Sequence, residues 1–125
     1  MLYLFFGKGL FEKFKPHPQS PIVIDPYCAR MAGPIFKTAD KLYRIGQNNN
    51  VGYGASAVLF QIENLTEETY SESFVKEISL NSVKGPHTIM SLGRNTVFDF
   101  YEDKFYLLYL NCHKICSFLF FFLQF

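Results

Sequence analysis

Lys15-Pro16-His17-Pro18-Gln19-Ser20-Pro21-Ile22-Val23 is a proline-stiffened loop that leads into Ala29-Arg30-Met31-Ala32-Gly33 and then into Lys41-Leu42-Tyr43-Arg44-Ile45-Gly46-Gln47. Proline fixes φ and withholds a ladder donor, so the first stretch marks a loop or a sheet edge. The second carries one arginine among small residues, which let a backbone or a ligand come close. The third is an aromatic strand with a polar tip. That order suits a sheet whose strands aim polar side chains at a shared cavity.

Outward from there, short β-type runs recur between turn residues and helical periodicity is scarce. Residues 2–6 read as a strand ending at Gly7, and residues 11–14 approach the proline loop. A hairpin is predicted from residues 34–37 and 42–45, turning at 38–41. Gln47-Asn48-Asn49-Asn50 reads as a polar loop, since Asn tolerates left-handed conformations. Residues 55–63 form the third strand, with Val58, Phe60 and Ile62 alternating against Leu59 and Gln61. Residues 64–68 turn into a fourth strand over 70–78. A further hairpin joins residues 87–92 to 95–101 around Gly93-Arg94. Four consecutive antiparallel strands with short turns are the unit of a β-propeller blade or a meander. The predicted fold is therefore all-β, in antiparallel meander sheets. Met1 falls within what reads as the last strand of a preceding blade, so the chain is expected to be a piece of a larger domain.

At 125 residues there is room for one domain, and 12 Lys+Arg nearly cancel 11 Asp+Glu. With no basic stripe, a nucleic-acid partner is not expected. Aromatic residues reach 18%, and Phe105, Phe118, Phe120, Phe121, Phe122 and Phe125 crowd one end. That shift divides a body at 1–104 from an apolar, Phe-rich tail at 105–125. As a helix the tail is long enough to cross roughly 30 Å of hydrocarbon. Asn111, His113 and Lys114 sit near its middle, however, and a central Lys costs roughly 2.5–3.5 kcal/mol on insertion scales. Membrane contact through the tail is thus disfavoured. Cys28, Cys112 and Cys116 cannot all pair within one chain and leave the redox compartment open. The N-terminus lacks the basic region and small-residue cleavage site of a signal peptide.

Several of these runs together resemble a known family. Pro16-His17-Pro18 with Pro21-Ile22, Ala29-Arg30-Met31-Ala32-Gly33, Leu42-Tyr43-Arg44-Ile45-Gly46-Gln47 and Tyr53-Gly54 occur in the order and spacing of its motifs. Gly85-Pro86-His87-Thr88 and Val97-Phe98-Asp99 match the continuation found in bacterial members. The family is the five-bladed propeller domain at the N-terminus of plant glucosamine inositolphosphorylceramide transferases, and the resemblance spans roughly residues 2–105, about one and a half blades of such a propeller. It implies a domain that binds a carbohydrate or glycolipid head group, or positions it for a transferase. It also implies partners in the other blades or in a fused transferase domain. Bacterial relatives join the domain to sugar-modifying or formyltransferase-like domains and imply a cytoplasmic setting, whereas a plant-type relative implies the Golgi lumen. The wider kinship is with propeller glycoside hydrolases, whose catalytic acids come from several blades. Asn48 follows Gln47 where the common pattern has Asp, so one carboxylate is missing. Catalysis by this chain alone is not expected, and its catalytic residues are unassigned.

The expected channel residues are Arg30, Gln47, Tyr53 and His87. Arg30 could fork onto a sugar hydroxyl, carboxylate or phosphate, or form a structural salt bridge to a neighbouring blade. His87 could line the channel or bond its own backbone in a turn. Gln47 and Tyr53 could contact sugar through amide and ring, or simply pack a loop. His17 reads as structural. Asp25 and Asp99 read as turn or surface residues, not as a hydrolytic carboxylate pair. Cys112-His113 with Cys116 and Cys28 only imitates a zinc set, and neither a metal nor a cofactor is expected. Asn64-Leu65-Thr66 is a glycosylation sequon in which Asn64 reads as a turn residue. The competing functions are a hydrolase-like enzyme whose acids lie on other blades, and an interaction or structural piece without a ligand.

Overall fold

The computed structural model describes residues 1–81, 83–92, 95–105 and 114–124. Side chains in 92 and 102–124 are outside that description, as are Gly93-Arg94, Cys112 and His113 in full. Among the described residues the regular structure is β-strand alone. The nine strands are β1 (Phe5–Phe6), β2 (Lys15–Pro16), β3 (Phe36–Thr38), β4 (Lys41–Asn48), β5 (Ser56–Leu65), β6 (Tyr70–Ile78), β7 (Ile89–Leu92), β8 (Asn95–Phe105) and β9 (Lys114–Gln124). They make three antiparallel sheets in sequential order, β1-β2, β3-β4-β5-β6 and β7-β8-β9. The expected all-β, antiparallel meander is therefore present.

The β3–β4 hairpin closes on Ala39 and Asp40, at φ of 47° and 61°. Two successive positive φ values define the turn whose twist matches that of the flanking strands. β4 continues to Asn48, so Gln47 and Asn48 belong to the strand, not to the predicted polar loop. The reason is that both side chains, although buried, find acceptors for their amide N–H groups across the fold, Gln47 at His87 C=O and Asn48 at Glu77. β5 likewise carries Asn64 inside the strand, where its amide donates to Ser71 Oγ, and the turn begins at Thr66.

The central sheet is covered on both faces. On one face Ile45 and Ala57 pack with Ala32 and with Ile89 of the second sheet, flanked by Leu59, Ile78 and Phe98. On the other, Val58 and Phe60 pack with Cys28, Val23 and Tyr27. The segment at 30–32 lies along the β4 edge that β3 leaves free, through Gln47 N–H to Arg30 C=O at 2.7 Å and Ala32 N–H to Ile45 C=O at 2.8 Å. Ile89 N–H then donates to Ala32 C=O at 2.6 Å, which ties this segment to β7. Gly46 permits the close approach, because a Cβ there would stand 2.4 Å from the Cys28 carbonyl oxygen.

A bulge sets the composition of the second face. Leu59 pairs with Lys76 and Phe60 with Phe74, which leaves Val75 unpaired. The extra residue flips the later alternation of β6, so Glu72 and Phe74 share a face with Glu77. Glu72 then meets Arg44. The guanidinium, 1% exposed, donates from Nε at 2.6 Å and from Nη2 at 2.5 Å to the two carboxylate oxygens. Nη1 donates to Cys28 C=O at 2.8 Å, and the group lies 4.5 Å from the Phe60 ring centre. Burial pushes the Arg44 pKa down, but the Glu72 hydrogen bonds and charge outweigh it and hold it above the ordinary value.

His17 is structural, as expected. It is 2% exposed, accepts Gln19 N–H at Nδ1 and donates from Nε2 to Thr66 C=O at 3.2 Å. Asp25 caps its own turn by accepting Tyr27 N–H at 2.8 Å.

Candidate functional site

The β4–β5 connection is built by asparagine. Asn48 Oδ1 accepts Asn50 N–H at 3.0 Å and Asn49 Oδ1 accepts Gly54 N–H at 3.1 Å, so the loop caps itself. Gly54 sits at φ +59°, and a Cβ there would stand 2.6 Å from His87 Cβ. This tight corner presents Tyr53 outward, 55% exposed.

Four residues singled out from sequence, Arg30, Gln47, Tyr53 and His87, meet at this corner. The Arg30 guanidinium lies 5.0 Å from the Tyr53 ring centre. The Tyr53 and His87 rings are 5.2 Å apart at 58°. His87 Nε2 is 3.2 Å from the Tyr53 hydroxyl, and Gln47 Nε2 donates to His87 C=O at 2.8 Å. Tyr101 adds a brace by donating its hydroxyl to Tyr53 C=O at 3.2 Å. Arg30 is exposed, and among the described residues no carboxylate forms an ion pair with it. Gln47, 3% exposed, keeps its Oε1 buried without a hydrogen-bond donor among the described residues.

Sequence reasoning missed the role of Asp99. Its Oδ1 accepts both His87 N–H at 3.0 Å and Thr88 N–H at 2.7 Å, while Oδ2 pairs with His87 Nδ1. A carboxylate on Nδ1 fixes the ring orientation and leaves Nε2 facing outward. The signal was in the chain, since Gly85-Pro86-His87-Thr88 and Val97-Phe98-Asp99 are both motif runs that come to face each other across β7 and β8. Asp25 and Asp99 have separate partners and do not act as a pair.

A second polar cluster lies on the opposite face of the same strand ends. Glu77 Oε1 accepts from Ser56 Oγ at 2.5 Å and Asn48 Nδ2 at 2.9 Å, and Oε2 is 3.5 Å from the Tyr27 hydroxyl. The Ser56 and Asn48 hydrogen bonds hold the Glu77 carboxyl below the ordinary carboxylate range. Asn48 is thus a donor to a carboxylate. An Asp there would set two anions together. A cleft of about 740 Å³ opens between the central sheet and β7–β8, lined mainly by apolar residues such as Phe36, Leu59, Ile78 and Phe98. None of the four converging residues lines it. Among the described residues no three His, Cys, Asp or Glu side chains gather as a metal set.

Chemically, the corner offers an exposed aromatic face, a forked cation, an oriented imidazole nitrogen and a phenol hydroxyl. Such a set can hold a polyol by stacking and hydrogen bonding. The family model described as Glucosamine inositolphosphorylceramide transferase 1, N-terminal, matches residues 1–108. No curated protein and no solved structure matches the chain.

Proposed function

The chain belongs to the glucosamine inositolphosphorylceramide transferase 1 N-terminal family, and on that premise we propose that the Arg30–Gln47–Tyr53–His87 corner binds a carbohydrate or glycolipid head group and holds it for a transferase. The β3–β6 meander is one blade of a propeller in this reading, and β7–β8 begins the next. The carrying observation is the convergence of the four side chains around an exposed Tyr53 ring, 5.0 Å from an Arg30 free of any ion pair among the described residues. Tyr53 stacks on the apolar face of a sugar ring, and Arg30 takes an anionic or hydroxyl substituent. Tyr53 Oη and His87 Nε2 bond ring hydroxyls. Asp99 is the positioning residue, keeping the imidazole turned so that Nε2 faces the ligand. Gln47 anchors the His87 main chain from the core.

The test is an NMR titration of the full chain with glucosamine and with inositol phosphate, the groups that the family description names. Saturable shifts of the Tyr53 ring and His87 Nε2 are expected, and Tyr53→Ala weakens binding by about three- to tenfold. Absence of saturable shifts with both compounds, or unchanged binding by Tyr53→Ala, overturns the reading.

A further inference from the structure

We propose that the β1–β2 hairpin is a docking element for an anionic lipid bilayer. Its loop reads Gly7-Lys8-Gly9-Leu10-Phe11-Glu12-Lys13-Phe14, and every residue from 7 to 16 is exposed. Phe11 is 99% exposed, Leu10 79%, and Phe14 and Phe5 53% each. Large apolar side chains held together in water mark an interaction surface when they gather in one patch.

The base of the hairpin is fixed while its tip is free. Leu2 N–H donates to Val23 C=O at 2.7 Å, His17 N–H to Leu4 C=O at 2.9 Å, and Ser20 Oγ to Leu4 C=O at 3.0 Å. His17 in turn holds Thr66. The tip therefore projects from an anchored base, as an inserting element must.

Charge selects the occupant. Lys8, Lys13 and Lys15, all exposed, flank the apolar tip in the sequence against one carboxylate, Glu12, and none of the three forms an ion pair among the described residues. A protein partner selects against lysine around the apolar centre of an interface. A bilayer selects for it, since Leu and Phe enter the acyl boundary while lysine stems reach the phosphate level. The inference is independent of the sugar corner, as it uses none of the same side chains.

The experiment is co-sedimentation of the full chain with phosphatidylcholine vesicles, with and without phosphatidylserine. Binding to the anionic vesicles that weakens as salt is added is expected. Phe11→Ser lowers the partition coefficient about tenfold or more, and each Lys→Gln change at 8, 13 or 15 lowers it about fivefold. A side chain so fully exposed leaves the melting curve unmoved when replaced, so lost binding is not lost folding. Absence of binding to anionic vesicles overturns the proposal, as does binding that Phe11→Ser and the lysine variants leave unchanged. Phe11-dependent self-association without vesicles also overturns it and assigns the tip to a protein contact.

Discussion

Replacing Glu72 by Leu strands the Arg44 guanidinium between the central sheet and the segment at 23–28. At 1% exposure Arg44 cannot reach water, and among the described residues it would keep the Cys28 carbonyl, the Phe60 face and the neighbouring Tyr70 hydroxyl, none of which carries a compensating charge. Removing one partner of a buried pair costs about 3–5 kcal/mol, because the remaining charge is uncompensated. A chain of this length unfolds with an entropy of roughly 0.26 kcal/mol/K, so Glu72→Leu is expected to lower Tm by about 10–20 °C. Replacing both members, Arg44→Met with Glu72→Leu, removes the stranded charge and recovers most of that loss, since apolar groups of similar volume often substitute neutrally. Circular dichroism melts of the wild type, the single and the double variant decide it. A single variant melting within about 2 °C of wild type, or a double variant no more stable than the single, would refute a buried and obligatory pair.

Three other consequences can be measured. Gly54→Ala forces a side chain into φ +59° and onto His87 Cβ, so it is expected to lose ligand-induced shifts at His87 and about 1–2 kcal/mol of stability; normal titration by this variant argues against the corner as drawn. Glu77, held below its ordinary 4.5 by Ser56 and Asn48, adds stability that is fully present above that value and lost as pH falls from there through the folded-state value; Glu77→Gln flattens this acid limb in urea melts, and an unchanged limb counts against the cluster. The Cys28 thiol, 6% exposed and with its pKa pushed up chiefly by burial, resists iodoacetamide in the folded chain and reacts in urea; peptide mapping that finds native labelling at Cys28 contradicts its burial.

Much of the strand order was legible because turn residues punctuate the chain at close intervals. The alternation of Val58, Phe60 and Ile62 against Leu59 correctly assigned the faces of β5. What escaped was polar burial. Gln47 and Asn48 look like the start of an asparagine loop, yet they stay in β4 because His87 C=O and Glu77 accept their amides. Those acceptors are 40 and 29 residues away, and no local pattern announces them. The β6 bulge was equally silent. Strict alternation from Glu77 sends Glu72 to the opposite face, and only the unpaired Val75 returns it to Arg44. Arg30, Gln47, Tyr53 and His87 were readable as residues, while the carboxylate that orients His87 was readable only as one of two unpaired acids.

β4 joins the stability of the core to the geometry of the corner. Its side chains alternate, with Tyr43, Ile45 and Gln47 facing β7–β8, and Arg44, Gly46 and Asn48 facing the segment at 23–28. Arg44 Nη1 holds Cys28 C=O at 2.8 Å, and two residues on, Arg30 C=O accepts Gln47 N–H at 2.7 Å. The ion pair thus clamps the start of the segment whose next turn carries the Arg30 guanidinium over Tyr53. Arg44→Met with Glu72→Leu separates the two roles. It restores stability by removing a stranded charge, but it cannot restore the donor to Cys28 C=O. The Arg30 Nε and Tyr53 ring resonances are therefore expected to shift in a variant that melts nearly as wild type. Unchanged resonances would mean that the main-chain bonds along β4 suffice to place Arg30, and that the ion pair serves the core alone.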